Sequence, residues 1–310
     1  MRVLFTGASS FTGMWFVQAL VEAGHEVTAI CTRGSYADPL RQARVARVEA
    51  VARVVHGVSF GDEAFLGLIR ENTFDLLAHH AADVTNYKSP DFDPVQALGR
   101  NTFGLAGVLE HLPATGCRRI LLTGSVFEGG EGAGSEGLPD FSPYGLSKRL
   151  TSEVFSFACR RAGVVLGKFV IPNPFGAYEE ARYTAYLVKS WLAGQVPFCS
   201  ATDYVRDNIH VGLLAKAYAA FAFSLLEARE PARLGPSGYV ERQGVFTRRV
   251  AEALAPRLGC SCPIELPAQA VFSEPRVRLN TDPVDAAALG FSEARAWDQM
   301  AEFYLRWPSS

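Results

Sequence analysis

Along the first half of the chain, short apolar runs alternate with helix-length amphipathic stretches. Val3–Phe5 reads as a strand, followed by a glycine-containing turn and a helix over Met14–Ala23 that Gly24 closes. Val27–Ile30, Val51–Val55, Leu76–His79, Arg119–Leu122 and Val164–Val170 continue the strand series, with helix-length segments between them. Strands separated in this way form βαβ units and a parallel sheet that helices cover on both faces. Right-handed crossovers bring the strand C-termini to one edge, where ligands bind in such sheets. The expected fold class is α/β, a doubly wound parallel sheet. The alternation weakens after Pro172, where prolines recur at irregular spacing through Pro283. That half reads as a smaller domain that contributes substrate contacts and sends some segments back to the first. No internal repeat or long linker separates the two.

Composition narrows the function classes. The 310 residues carry 30 Lys+Arg against 32 Asp+Glu, a net charge of −2, with 48% apolar and 20% charged residues. This is the composition of a globular protein, with enough chain to bury about 75% of its unfolded surface. A near-neutral balance without a long basic run gives nucleic acid no electrostatic footing. Cys31, Cys117, Cys159, Cys199, Cys260 and Cys262 are scattered without a CxxC pair, and read as reduced thiols of a cytosolic protein. Met1-Arg2 runs straight into Val3-Leu4-Phe5, so no signal peptide is expected. The stretch Val211–Leu226 contains Lys216 and is too short to span a bilayer, so no membrane anchoring is expected.

Candidate chemistry begins in the first turn, Thr6-Gly7-Ala8-Ser9-Ser10-Phe11-Thr12-Gly13, between the first strand and the first helix. Glycines allow a sharp turn and close approach to an anion, and a helix N-terminus offers N–H groups and a positive dipole end to a pyrophosphate. The second strand ends Ile30-Cys31-Thr32-Arg33-Gly34-Ser35, without the carboxylate that holds a ribose 2′-hydroxyl in NAD sites. Arg33 beside small hydroxyl residues suits a 2′-phosphate, so NADP is expected ahead of NAD. Further on, Phe141-Ser142-Pro143-Tyr144-Gly145-Leu146-Ser147-Lys148 opens a helix with Ser142 as N-cap and Pro143 at its first position. Tyr144 and Lys148 lie one turn apart on one face. A free phenol titrates near 10, and a nearby ammonium favours the phenolate.

Taken together these motifs resemble the extended short-chain dehydrogenase/reductase family, in particular its nucleotide-sugar epimerases, reductases and dehydratases. The likeness runs through most of the chain and implies a Rossmann-like fold. Thr6–Gly13 resembles the family's glycine turn, with Ser10 where a middle glycine is usual. His79-His80-Ala81-Ala82 is similar to its fourth-strand segment, and Asn101 stands at the place of a structural Asn. Leu121–Phe127 resembles the strand carrying a catalytic hydroxyl three residues before Val126, which is Thr123, with Ser125 in reserve. Tyr144 and Lys148 match the YxxxK pair, Ile171–Gly176 the Asn-containing substrate segment, and Val205–Val211 the RDxIHV block whose Arg meets a diphosphate.

The resemblance implies a catalytic set of Thr123, Tyr144 and Lys148. Cofactor contacts are implied at Gly7, Ser9, Ser10, Phe11, Thr12, Gly13, His80, Ala81, Ala82, Tyr144, Lys148 and Ile171, beside Arg33. Substrate contacts fall at Thr85, Ser125, Asn173, Arg206 and Arg276. The implied division is a dinucleotide-binding domain over 1–171, with return segments near 203–232, and a mostly substrate-binding domain over 172–310. The family also pairs two helices across a two-fold axis, and the apolar stripe Leu98, Leu105, Val108 and Leu109 supports a homodimer.

The first functional expectation is an NADP-dependent oxidoreductase that reduces a keto group on a nucleotide-linked sugar. The alternative is an NAD-dependent epimerase that oxidises and re-reduces one carbon. A 4,6-dehydratase fits less well, because Gly124-Ser125 stands where such enzymes carry Asp-Glu. A non-catalytic dinucleotide-binding regulator sits poorly with an intact hydroxyl–Tyr–Lys set. No metal is expected: His79 and His80 have no third ligand, and Cys260-Ser261-Cys262 reads as loop. Glu179-Glu180 reads as a solvated loop with a sugar-hydroxyl contact open to it, and Arg276 with Arg278 as either diphosphate contacts or alternating strand charges.

Overall fold

The computed structural model describes residues 1–307, so 308–310 of the expected second domain lie outside the described residues. In chain order the first elements are β1 (Arg2–Thr6), α1 (Phe11–Glu22), β2 (Glu26–Cys31), α2 (Pro39–Glu49), β3 (Arg53–His56), α3 (Glu63–Glu71) and β4 (Leu76–His79). Next come α4 (Pro94–Asn101), α5 (Leu105–Ala114), β5 (Arg119–Ser125), β6 (Ala133–Gly134), α6 (Pro143–Ala162) and β7 (Val165–Ile171). The second half adds β8 (Asn173–Phe175), α7 (Tyr183–Leu192), β9 (Val205–His210), α8 (Val211–Ser224), β10 (Ala232–Leu234), β11 (Pro236–Ser237) and β12 (Tyr239–Arg242). The chain ends with α9 (Gln243–Leu258), β13 (Val277–Leu279), β14 (Asp282–Pro283) and α10 (Glu293–Arg306).

One compact unit comprises residues 1–131, 139–171 and 215–235. Its seven strands form one sheet in the order β10-β7-β5-β4-β1-β2-β3, with every pairing parallel. The order reverses between β1 and β4, the switch point of a Rossmann-like sheet. Side chains alternate across it with period two. One face buries Leu4, Leu77, Ile120, Leu122 and Leu166 in a cluster with Phe60, Phe65, Leu112 and Phe155. On α1, Phe16 stacks on Tyr218 of α8 at 4.0 Å and meets Phe169 of β7 edge-on at 5.9 Å. Each such buried aromatic or aliphatic side chain contributes roughly 1.5–3 kcal/mol by leaving water.

The boundaries depart from the sequence pattern where backbone pairing decides. β5 runs on to Ser125 because Thr123, Gly124 and Ser125 pair with Phe169, Val170 and Ile171. Val51 and Ala52 are not strand, since both their N–H groups return to the Val48 carbonyl and finish α2. The apolar stripe read as a subunit face needs correction as well. Leu105, Val108 and Leu109 lie within the apolar cluster of this unit and are buried, so they cover the sheet rather than a partner.

The other unit comprises residues 132–138, 172–214 and 236 onward. Its sheet has the order β12-β9-β13-β6 with β8 added on β9, and mixes parallel and antiparallel pairs. Residues 203–214, read from sequence as returning to the first domain, fall in this unit because β9 pairs with β8, β12 and β13. Among the described residues, no helix is long and apolar enough to cross a membrane, and all six cysteines are free thiols.

Candidate active site

The glycine turn is built by close approach. Gly7 has φ +81°, and a Cβ there would come within 2.8 Å of the Ala81 nitrogen; a Cβ on Gly13 would meet the Gly7 carbonyl oxygen at 2.2 Å. Ser10, in place of the usual middle glycine, is the N-cap of α1: its Oγ accepts from Gly13 N at 3.1 Å and donates to Gly7 O at 2.9 Å. Phe11 and Thr12 open the helix and are buried. The turn thus presents a helix N-terminus in a cradle of small residues, which fits a pyrophosphate.

Thr6 fastens this turn to the end of β4. Its Oγ1 accepts the N–H groups of both His80 and Ala81, each at 3.0 Å, so its own proton goes to His79 Nδ1, also at 3.0 Å. His79 then donates from Nε2 to the Asn101 carbonyl at 3.3 Å. Burial, with Lys148 adding positive charge, pushes the His79 pKa down to about 3, so the ring is neutral and structural. Asn101 accepts from Asp83 N at 2.7 Å and donates to Thr151 at 3.1 Å, pinning the loop that carries Ala82. His79 and His80 face opposite sides of the sheet, toward Phe155 and Phe16 respectively. Among the described residues no group of three His, Cys, Asp or Glu side chains could hold a metal.

Ser142 caps α6 by accepting from Gly145 N at 3.2 Å, and Pro143 opens the helix. The Tyr144 ring lies beside Tyr87 at 5.3 Å and Phe92 at 6.1 Å, two aromatics that precede α4. One turn on, Lys148 is buried and donates from Nζ to the Thr123 carbonyl at 2.6 Å, locking the helix onto the end of β5. Burial lowers its pKa to about 8; Glu128 opposes the fall and Lys168 adds to it.

The Thr123 hydroxyl lies 2.9 Å from His80 Nδ1. Ser125 is buried, with its N–H on Glu128 Oε1 at 2.7 Å and its Oγ accepting from Phe127 N at 3.2 Å. Glu128, fully buried, also pairs with Lys168 at 2.5 Å, and Lys168 reaches Glu131 at 2.7 Å. These charges fill the room beside Gly124, where a Cβ would meet Lys168 Cε at 2.7 Å and Glu128 Oε1 at 2.9 Å. Ile171 closes β7, and its carbonyl accepts Val126 N at 2.9 Å.

At the far end of the turn, Arg33 is exposed just past β2, and its carbonyl accepts from His56 Nδ1 at 3.0 Å. The sequence reading missed Arg41. From the first turn of α2 its guanidinium donates to Ser9 Oγ through Nε at 3.1 Å and Nη2 at 2.9 Å, and lies 4.3 Å over the Tyr36 ring. The strand end alone does not expose it; the signal was Asp38-Pro39, which starts a helix and so returns Arg41 toward the turn.

The expected substrate residues are dispersed. Thr85 is exposed, with its N–H on Asp83 Oδ1 at 3.0 Å. In the other unit, Asn173 Nδ2 donates to the Asp207 carbonyl at 3.0 Å and ties β8 to β9. Arg206 pairs with Glu274 at 2.8 Å, donates to the Val205, Pro275 and Arg276 carbonyls, and stacks 4.3 Å over Tyr204. Arg276 is exposed over the Phe272 ring at 4.0 Å, whereas Arg278 is buried in β13, so the two do not act as a pair. Glu179 is not in a solvated loop. It is buried, its Oε1 accepts the hydroxyls of Thr184 and Tyr304, and burial pushes its pKa up to about 7.

No curated protein is a significant sequence match. Solved structures similar over 99% of both chains include the UDP-glucose 4-epimerase of Thermotoga maritima with UDP-glucose (20% identity, TM-score 0.73). Others are the UDP-glucose 4-epimerase of Stenotrophomonas maltophila with NAD and formylated UDP-arabinopyranose (19%, 0.74) and the UDP-glucuronic acid 4-epimerase of Bacillus cereus with UDP-glucuronic acid and NAD (16%, 0.72), each over 99% of both chains. At these identities the likeness is one of fold. The family model of the NAD-dependent epimerases and dehydratases matches residues 3–231. The chain therefore belongs to the NAD-dependent epimerase/dehydratase family.

Proposed function

We propose that the protein is a nucleotide-sugar epimerase that oxidises and re-reduces one sugar carbon while its nicotinamide dinucleotide stays bound. The observation that carries this reading is Lys148, buried on the Thr123 carbonyl one helical turn from Tyr144, in a chain of this family. Gly124-Ser125, in place of the Asp-Glu that such enzymes carry after the catalytic Thr, argues against a dehydratase. Family membership and the UDP-sugar 4-epimerases among similar structures support epimerisation over the reduction expected first from sequence. Incubation with a panel of nucleotide sugars, with released cofactor identified by mass, tests the reading: an epimer without net cofactor consumption is expected.

In this reading the first unit holds the dinucleotide and the second the sugar nucleotide. The turn from Gly7 to Gly13 would hold the pyrophosphate, and Ala81, Ala82, Lys148 and Ile171 the nicotinamide ribose side. A nicotinamide bound there would supply the hydride acceptor and donor for the sugar carbon. Tyr144 removes the proton of the reacting hydroxyl and later gives it back, while Thr123 hydrogen-bonds the same oxygen. The Lys148 ammonium stabilises the Tyr144 phenolate. Within the second unit Arg206, paired with Glu274, would be the residue to meet a sugar-nucleotide diphosphate. One observation favours the reductase as second reading: Arg33 and Arg41, two cations without a carboxylate from Ile30 to Ser35, suit a 2′-phosphate.

Lys148 makes cofactor binding pH-dependent. With its pKa lowered to about 8 it keeps its proton below that pH and loses it above. Hydrogen bonds from an ammonium to ribose hydroxyls are stronger than those from an amine. Cofactor affinity of the apoprotein is thus expected to fall severalfold between pH 7 and 9, and Lys148→Met to remove that dependence, by calorimetry. Folding stability carries the opposite sign: between about 8 and the unfolded value of 10.5 the unfolded chain binds more protons, so this group's contribution rises with pH.

The homodimer is retained on different residues. Val95 and Phe103 around α4, and Val154 and Phe157 on α6, are exposed apolar side chains, and α4 packs on α6. A second copy covering them is expected to give a dimer by light scattering at micromolar concentration, and Val154→Asp with Phe157→Asp a monomer. A monomeric wild type would contradict this.

A further inference from the structure

His80 is a polar ring in an apolar setting with no part in the proposed mechanism. It sits 5.8 Å from the Phe5 ring and 5.1 Å, edge-on, from Phe16. A phenyl ring would suit those neighbours; an imidazole is stable there only if both nitrogens find partners. They do. Nδ1 is 2.9 Å from Thr123 Oγ1, and Nε2 is 3.1 Å from both Ser10 Oγ and Thr12 Oγ1. The ring therefore bridges the glycine turn and the hydroxyl assigned to catalysis.

Hydrogen-bond accounting leaves the bridge two arrangements. Burial, with Lys148 and His79 nearby, pushes the His80 pKa far below the ordinary histidine value, so the ring carries one proton. Ser10 spends its proton on Gly7 O and already accepts Gly13 N–H, so toward Ser10 the ring can only donate. With the proton on Nε2, Nδ1 is an acceptor and captures the Thr123 proton. With Thr12 donating to Nε2 instead, the ring proton sits on Nδ1, points at Thr123 Oγ1, and frees the Thr123 O–H to donate elsewhere. A sugar carbonyl has no proton, so it needs a donor from Thr123 as well as from Tyr144.

We propose that His80 is a positioning residue that, through its bridge from Ser10 and Thr12 to Thr123, sets whether the Thr123 hydroxyl donates to the ring or toward the oxidised sugar, and so links that hydroxyl to the cofactor turn. This rests on Thr123 acting as assigned above.

The test uses the full-length protein. His80→Phe fills the ring space and deletes both hydrogen bonds; His80→Asn restores a polar group at the position of Nδ1. His80→Phe is expected to lower kcat 10- to 100-fold with KM for the sugar and cofactor Kd within about threefold, and His80→Asn to recover most of the loss. In a Thr123→Val background His80→Phe should cost nothing further, because the pair acts as a unit. Independently of turnover, imidazole ¹⁵N shifts should report a neutral ring down to pH 5 whose Nδ1 resonance moves on Thr123→Val. An unchanged kcat in His80→Phe, a loss that adds to that of Thr123→Val, or an Nδ1 resonance unmoved by Thr123→Val overturns the proposal. A Thr123→Val enzyme with full kcat overturns the catalytic assignment itself, and this proposal with it, whatever His80→Phe does.

Discussion

Replacing Tyr144 by Phe is expected to lower turnover about 100-fold or more, the usual scale for losing a general acid–base group, while leaving cofactor affinity nearly unchanged. The phenol is the only group in the proposed set that moves a proton. A free phenol titrates near 10, so in the proposed mechanism a phenolate would need stabilising at neutral pH, and Lys148 one turn away would supply that charge. Lys148 does not depend on Tyr144 for its place, because its Nζ is on the Thr123 carbonyl at 2.6 Å. The ring's packing against Tyr87 and Phe92 is available to Phe as well. The substitution therefore removes the ionisable hydroxyl while keeping the ring. Steady-state kinetics with calorimetric cofactor titration checks it, and near-normal turnover would sink the assignment.

The second large effect concerns the dinucleotide's adenosine end. NADPH is expected to bind more tightly than NADH, by roughly one to two decades, since charge-assisted hydrogen bonds contribute about 1.5–3 kcal/mol. Arg33 is exposed past β2, and Arg41 already has its guanidinium on Ser9 in the turn. Asp38, the nearest carboxylate in sequence to Arg41, is engaged by the N–H groups of Leu40 and Arg41 as the cap of α2. Arg33→Ala and Arg41→Ala should each remove part of the preference, and the double substitution most of it. If calorimetry finds NADH bound at least as tightly, or the protein purifies with NAD, the 2′-phosphate reading fails and the reductase loses its only support. Epimerisation with NAD would then stand alone.

What could be read from the residues follows from how local their causes are. The glycine turn, Ser142-Pro143 at a helix start and the alternating strands depend on backbone geometry that neighbouring residues dictate, and Leu76–His79 is a strand to the residue. Contacts between distant segments were not legible. Leu105, Val108 and Leu109 form an apolar stripe in any reading, but only the packed sheet determines that it faces inward. Glu179 looks solvated in a run of polar residues until Tyr304, 125 positions later, folds onto it. Glu128 and Lys168 are 40 positions apart, and their pairing against Gly124 depends on β5 lying beside β7. Arg41 and the bridging role of His80 were hidden for the same reason: each acts on a hydroxyl of another segment.

The proposed epimerisation is tested most directly by running the reaction in D₂O with a panel of nucleotide sugars and reading the product by NMR. If hydride leaves and returns on the same bound nicotinamide, and only the Tyr144 proton exchanges with solvent, the epimer forms with protium at the reacting carbon and no net change in cofactor absorbance. Deuterium at a ring carbon, or stoichiometric oxidation of NADPH with a reduced sugar as product, would contradict it.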